Sequence, residues 1–383
     1  MQVQTGLDRV ADYTHLFHGQ RIGIMANQTA FSRSGQFIVE VFQDLEDVNV
    51  TALFAPEHGL WGTLGAGAEV KTSIHPDYRV PVYSLYGPDE NHQDPVLENV
   101  DVLVFDMQDI GTRFYTYVSS MALAMKASAR LDKRFVVLDR PNPLGGERIE
   151  GPILDPNFAS FKGLFPIPVV HGLTVGELAR LINGEGWLGA GLQVDLEVVP
   201  LRGWTRDMDF NQTGLRFIKP SPNMPDVLTA LIYPGTALIE GTNVSEGRGS
   251  ERPFQQFGAP WIDAERLANR LNAHQVPGIR FIPIHFTPQS SKHAGIKCHG
   301  TQVELINEDV FMPFACGIHI LETLYRLYPN QLVWRVRHLD ELCGTDRIRK
   351  AIITHSPVKP LIQDWTEENA VFRQKSSVYT LYP

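Results

Sequence analysis

The chain has 383 residues, of which 43% are hydrophobic and 20% charged, the composition of a soluble globular protein long enough for two domains. Its formal net charge of -9 at pH 7 argues against nucleic acid as a partner, because phosphate binding wants a basic face. No apolar run approaches the ~20 residues that span a bilayer, and the widely spaced Cys298, Cys316 and Cys343 suggest neither a disulfide framework nor a zinc site.

The N-terminal Met-Gln-Val-Gln-Thr-Gly has no basic region followed by an apolar stretch, so no signal peptide is visible. Location stays open: exported if a leader was removed, cytoplasmic otherwise. From there, Arg21–Ala26, Val50–Ala55, Val80–Leu85, Val102–Met107 and Phe135–Asp139 are predicted strands, with Gln193–Pro200 a further candidate. Helical patterns cover Gly35–Leu45, Tyr115–Leu131 and Thr174–Asn183. Buried strands separated by helical crossovers predict a parallel α/β sheet with helices on both faces. Residues 211–261 are rich in Pro, Gly and polar groups, a length better suited to a site than to a linker. Asp263–Asn272 and Pro313–Tyr328 then read as helices, Ile279–Phe286 and Thr301–Leu305 as strands, a smaller α+β domain. The expected division is 1–235 and 236–383.

In an open parallel sheet, ligands bind beyond the carboxyl ends of the strands, and here those ends are polar. They carry Asn27-Gln28-Thr29, then Pro56-Glu57-His58-Gly59, then Gln108-Asp109 through Arg113-Phe114-Tyr115, and Asp139-Arg140-Pro141-Asn142. Glu57, near Trp61, is either a general acid raised in pKa against an aromatic wall or a turn carboxylate. Asp109 and Arg113 are either a helix-start ion pair or ligand contacts, and Asp139-Arg140 reads equally as a structural pair. His171 is a site candidate just before a capping box of Thr174 and Glu177. Asn223, boxed by prolines, suits a fixed hydrogen bond to a sugar hydroxyl or a turn.

The segment from Glu240 to Phe254 packs Glu240, Asn243, Glu246, Arg248, Arg252 and three glycines into fifteen residues. The glycines predict sharp bends or backbone close to a ligand, and the charges suit acid/base work on a polar, anionic molecule. No GxGxxG, GxxxxGK[ST], HExxH or GxSxG occurs in its proper context, so no cofactor and no metal are expected. Two carboxylates, arginines and aromatics fit carbohydrate hydrolysis. A sugar-binding receptor that does not cut, or a metal-dependent hydrolase using His58, Asp106 and Asp109, are the competing readings.

Five ordered motifs carry a resemblance. Pro-Glu57-His-Gly-Leu-Trp, Gln-Asp109-Ile-Gly-Thr-Arg113-Phe-Tyr115, Leu-Asp139-Arg-Pro-Asn142-Pro, Pro-Ser-Pro-Asn223-Met-Pro and Glu240-Gly-Thr-Asn243-Val-Ser-Glu246-Gly-Arg248 resemble the exo-β-N-acetylmuramidase (NamZ-type) family. The resemblance implies release of N-acetylmuramic acid from the non-reducing end of peptidoglycan fragments, and a Rossmann-like domain facing a C-terminal auxiliary domain across a cleft. It implies Glu57 as leading catalytic residue and Glu246 as the second. Because muramic acid carries a lactyl carboxylate, the pocket should hold a cation; Arg248, with Arg113, Arg140 and Arg252 behind it, is the expected reader.

Overall fold

The computed structural model describes residues 2–56, 59–61, 73–84, 94–189 and 191–383. The motif residues Glu57 and His58 therefore lie outside the described residues. A seven-stranded sheet organises the first part of the chain: β1 (Arg21–Ala26), β2 (Asn49–Ala55), β3 (Ser73–Ile74), β4 (Pro81–Ser84), β5 (Val102–Asp106), β6 (Arg134–Leu138) and β7 (Asp195–Val199) in the order β3-β4-β2-β1-β5-β6-β7. All neighbours are parallel except β3, which pairs antiparallel with β4. β1, β5 and β6 are interior strands: every residue of β5, and all but the first of β1 and β6, is buried, as two covered faces require.

One face carries a 3-10 helical segment, Leu7–Leu16, and α1 (Ile38–Gln43), which bury Leu7, Val10, Phe37, Ile38 and Phe42. After α2 (Asp94–Leu97), the other face takes α3 (Tyr117–Arg130) and α4 (Val175–Gly184). α4 starts at the expected capping box, Thr174 accepting from Glu177 N while Glu177 accepts from Thr174 N. Strand order steps one way from β1 through β2 and the other way from β5, so the switch between β1 and β5 opens a crevice at the strands' carboxyl ends.

The stretch 211–261 is more regular than its sequence suggests. It contains α5 (Val227–Thr236) and β8 (Gln256–Ala259). Pro234 and Gly235 disguise α5, yet Gly235 is demanded by packing, since a Cβ there would run into Pro313 O of a neighbouring helix. β8 joins β9 (Ile279–Phe286) and β10 (Cys298–Leu305) in an antiparallel sheet of order β8-β10-β9, backed by α6 (Ala264–Asn272) and α7 (Pro313–Leu327). α8 (Val336–Cys343), α9 (Arg347–Ile353) and α10 (Lys359–Ser376) were not read from the sequence. They return to the first sheet, and Leu339, Ile348, Trp365 and Phe372 join the core of α3 and α4. The last residues go further back still. Tyr382 donates to the Asp139 carboxylate, Leu381 N to Glu177 Oε1 at 2.9 Å, and Tyr382 stacks edge-on against Trp204. The chain is thus a two-domain α/β protein whose C-terminal helices pack on the first sheet. No described helix is long and apolar enough to cross a membrane.

Candidate active site

A cleft of about 650 Å³ lies between the rim after β5, the 221–224 segment, the 240–254 loop and α8. Gln28, just beyond β1, fixes the 219–220 backbone over the crevice by donating to Lys219 O and Pro220 O at 2.9 Å. Asn223 and Met224 follow and face the cleft. The floor is aromatic: Tyr115 and Tyr117 meet edge-on at 5.0 Å, Tyr115 and Tyr233 at 6.0 Å, and Tyr233 and Phe254 at 4.7 Å. Aromatic faces of this kind suit the apolar side of a sugar ring.

Among the described residues the cleft's carboxylates are Glu240 and Glu246, joined through one guanidinium. Arg248 places Nε and Nη2 at 2.9 and 2.6 Å from Glu240 Oε1, and its Nε lies 3.3 Å from Glu246 Oε1. The same guanidinium rests 4.9 Å from the centre of the Phe254 ring. Burial alone would raise the Glu240 pKa, but the His338 imidazole and the Arg248 charge overcome it and hold the carboxyl down at about 2. Glu246 is buried, with Oε2 2.9 Å from Lys292 Nζ. Lys292 also donates to Val244 O at 3.0 Å and Ile239 O at 3.2 Å. Burial lowers the pKa of this ammonium.

The glycines of the loop hold it still. Gly247 and Gly249 have φ of 81° and 77°, a region that L side chains avoid. A Cβ on Gly247 would meet Gln256 O and Arg252 O, and one on Gly249 would meet Ser290 N and O. Of the two readings of these glycines, sharp bends hold here, and the space left by their missing side chains is taken by neighbouring backbone. Asn243 fastens the loop's start, donating to Gln331 O and accepting from Val333 N, both at 2.9 Å. It stands in the loop's anchorage and not among the cleft residues.

Most of the strand-end candidates occupy a buried framework behind the cleft. Arg113 is 2% exposed and donates to Pro152 O and Ile167 O at 2.8 Å and to Leu342 O at 3.1 Å. Neither the ion pair with Asp109 nor the role of carboxylate reader fits a guanidinium so engaged. Arg140 pairs through both nitrogens with buried Asp106, not with Asp139. Asp139 instead accepts from Thr174 Oγ1, Gly176 N and Tyr382. Asn142 closes its own turn, accepting from Leu144 N and donating to Leu173 O. Asp109 accepts from Gly111 N at 2.6 Å, and His171 Nε2 lies 3.9 Å from it. Burial pushes Asp109 up to about 7; burial, then the Arg113 charge, push His171 down to about 3. Arg252 is exposed and lines none of the cleft. Trp61 packs against Phe37 and His75, at 5.2 and 5.7 Å between ring centres.

Asp106, held by Arg140, is not free to ligate a metal as the metal-hydrolase reading required. Among the described residues the His/carboxylate group with ligand-like spacing is His274, His319 and Glu322, packed between α6 and α7 outside the cleft lining. Sequence reasoning missed Tyr233, Lys292, Arg335 and His338, all of which line the cleft. A signal for Lys292 existed: residues 287–300 between two predicted strands form a connection longer and more polar than a tight turn needs.

Models described as "Exo-beta-N-acetylmuramidase NamZ, N-terminal" and "Exo-beta-N-acetylmuramidase NamZ, C-terminal" match residues 22–228 and 231–382. The peptidoglycan beta-N-acetylmuramidase NamZ of Bacillus subtilis (strain 168) is 44% identical over 383 residues, covering 100% of this chain and 92% of that relative. Two crystal structures of DUF1343 family proteins from Bacteroides fragilis NCTC 9343 superpose with TM-scores of 0.92 and 0.81, at 34% and 29% identity; each alignment covers 100% of this chain and 99% of the other.

Proposed function

The chain belongs to the NamZ family of exo-β-N-acetylmuramidases, and on that premise we propose that it is a glycosidase of peptidoglycan turnover, releasing N-acetylmuramic acid from the non-reducing end of glycan fragments. The observation that carries this reading is the pair Glu240 and Glu246 bridged by Arg248 above a tyrosine floor, in a cleft of about 650 Å³. A volume of that size holds a small ligand.

Glu57 gives its proton to the leaving sugar oxygen as the bond from that oxygen to C1 breaks. Water adds its hydroxyl to C1, and its remaining proton returns to the carboxylate. Glu246 supplies the second carboxylate of the pair. Glu240, held at about 2, has no proton to give near neutrality, so its part is to hold Arg248 and through it Glu246. Tyr115 and Tyr233 carry the sugar ring, and Asn223 offers its amide to a hydroxyl.

The test is release of 4-nitrophenol from 4-nitrophenyl β-N-acetylmuramide, with and without chelator. Release that survives chelation is expected, and Glu57→Gln should lower it by on the order of 10² or more, as loss of a general acid does. Tight binding without release would mark a receptor instead, and near-normal turnover by folded Glu57→Gln would remove Glu57 from the chemistry.

A further inference from the structure

The cleft is rich in cations for a protein of net charge -9: Lys162, Arg248, Lys292 and Arg335 all line it. Three of the four are already committed. Arg248 holds Glu240 and Glu246, Lys292 holds Glu246 and main-chain carbonyls, and Lys162 lies 2.6 Å from Glu341 Oε2. Engaging any of them with a ligand would first require breaking an ion pair that the folded protein has made. Arg335 is different. Its side chain is exposed and forms no ion pair or hydrogen bond among the described residues.

Its backbone, by contrast, is fixed. Arg335 N donates to Gly241 O at 2.8 Å, and Trp334 bridges to Thr242, so the residue stands on the same anchored backbone as Glu240. It precedes α8, and with His338 and Leu342 at i+3 and i+7 it forms the face of that helix turned to the cleft. Its charge is felt at Lys292, and both residues line the cleft.

We propose that Arg335 is the specificity-determining residue that pairs with the 3-O-lactyl carboxylate of the muramoyl sugar, in place of the expected Arg248. The assignment rests on the functional reading above, which puts a muramoyl residue in this cleft. N-acetylglucosamine differs from N-acetylmuramic acid only in lacking that lactyl group. A free guanidinium, with two parallel N–H donors matching two carboxylate oxygens, discriminates on that difference alone.

Calorimetry with free N-acetylmuramic acid, its lactyl methyl ester and N-acetylglucosamine, on wild type, Arg335→Ala and Arg335→Lys, tests this without needing turnover. Arg335→Ala should weaken N-acetylmuramic acid roughly tenfold to a hundredfold, the range of a charged hydrogen bond, while N-acetylglucosamine is unaffected. Esterification should weaken binding to wild type by a similar factor and to Arg335→Ala hardly at all, with Arg335→Lys in between. In turnover the same variant should raise KM for the muramide far more than it lowers kcat. Equal weakening of both sugars by Arg335→Ala, or an ester penalty that persists in the variant, would overturn the assignment. Wild type that binds N-acetylmuramic acid selectively yet never cleaves the muramide would overturn the hydrolase reading while leaving the role of Arg335 intact.

Discussion

The rim behind β5 and β6 and the 240–254 loop draw on the same polar side chains and put them to opposite uses. On the rim, Asp106, Asp139, Arg113 and Asn142 are buried with partners inside the protein. On the loop, Glu240 and Arg248 form their pair at the cleft wall and keep part of their surface open. Two acids display the contrast in one property: burial drives Asp109 up to about 7, whereas Glu240, despite burial, is held at about 2 by His338 and Arg248. A run of Asp, Arg and Asn at a strand end thus says where a framework must be polar. Whether that polarity serves a ligand depends on whether the framework has already consumed it.

Breaking the rim should give the largest effect. Arg140→Ala leaves Asp106 buried without its counter-charge, expected to cost about 3–5 kcal/mol of stability, read by urea or thermal unfolding; a loss under 1 kcal/mol would show that the rim tolerates open charges. Next comes the cleft. Glu246→Gln should lower kcat/KM by on the order of 10² or more, about 2.7 kcal/mol, measured on protein shown to be folded. A variant that unfolds early with intact specific activity would move Glu246 to the framework.

An effect that depends on pH follows from the two pKa shifts. Because the folded state raises the Asp109 pKa, it binds this proton more tightly than the unfolded chain. Its contribution is therefore favourable at low pH and is lost as pH climbs from about 4 to about 7, by at most ~1.4 kcal/mol per pH unit. Asp109→Asn should remove that slope. Glu240 works in the other direction: its stabilisation is present above the ordinary glutamate value and lost as pH falls toward 2. Unfolding curves between pH 4.5 and 8 in which Asp109→Asn keeps the wild-type slope would contradict the buried assignment. Least should happen at Arg252, exposed and outside the cleft: Arg252→Ala is expected within ±0.5 kcal/mol of wild type, with unchanged kcat/KM, and a clear loss of activity would extend the cleft to it.

The sheet was legible because β1, β5 and β6 are unbroken apolar runs, and α4 because Thr174 and Glu177 announce its start. α5 was not, since Pro234 and Gly235 look like a break until α7 is seen crossing them. The loop's importance could be read from its charges, but Lys292 comes from a connection fifty residues on, and α8 brings Arg335 and His338 from further still. The same distance explains the rim. Arg113 finds Leu342 O, and Asp139 finds Tyr382, pairings between residues more than two hundred positions apart. No local pattern encodes whether such a partner will arrive.

That late arrival has a consequence for biosynthesis. Tyr382 and Leu381 supply donors to Asp139 and Glu177, two acids of the first domain. Until residues 377–382 leave the ribosome, the nascent first domain must carry both acids short of those partners. Its sheet can assemble early, but its polar framework closes last, so removing a few C-terminal residues should injure the part of the protein that was made first.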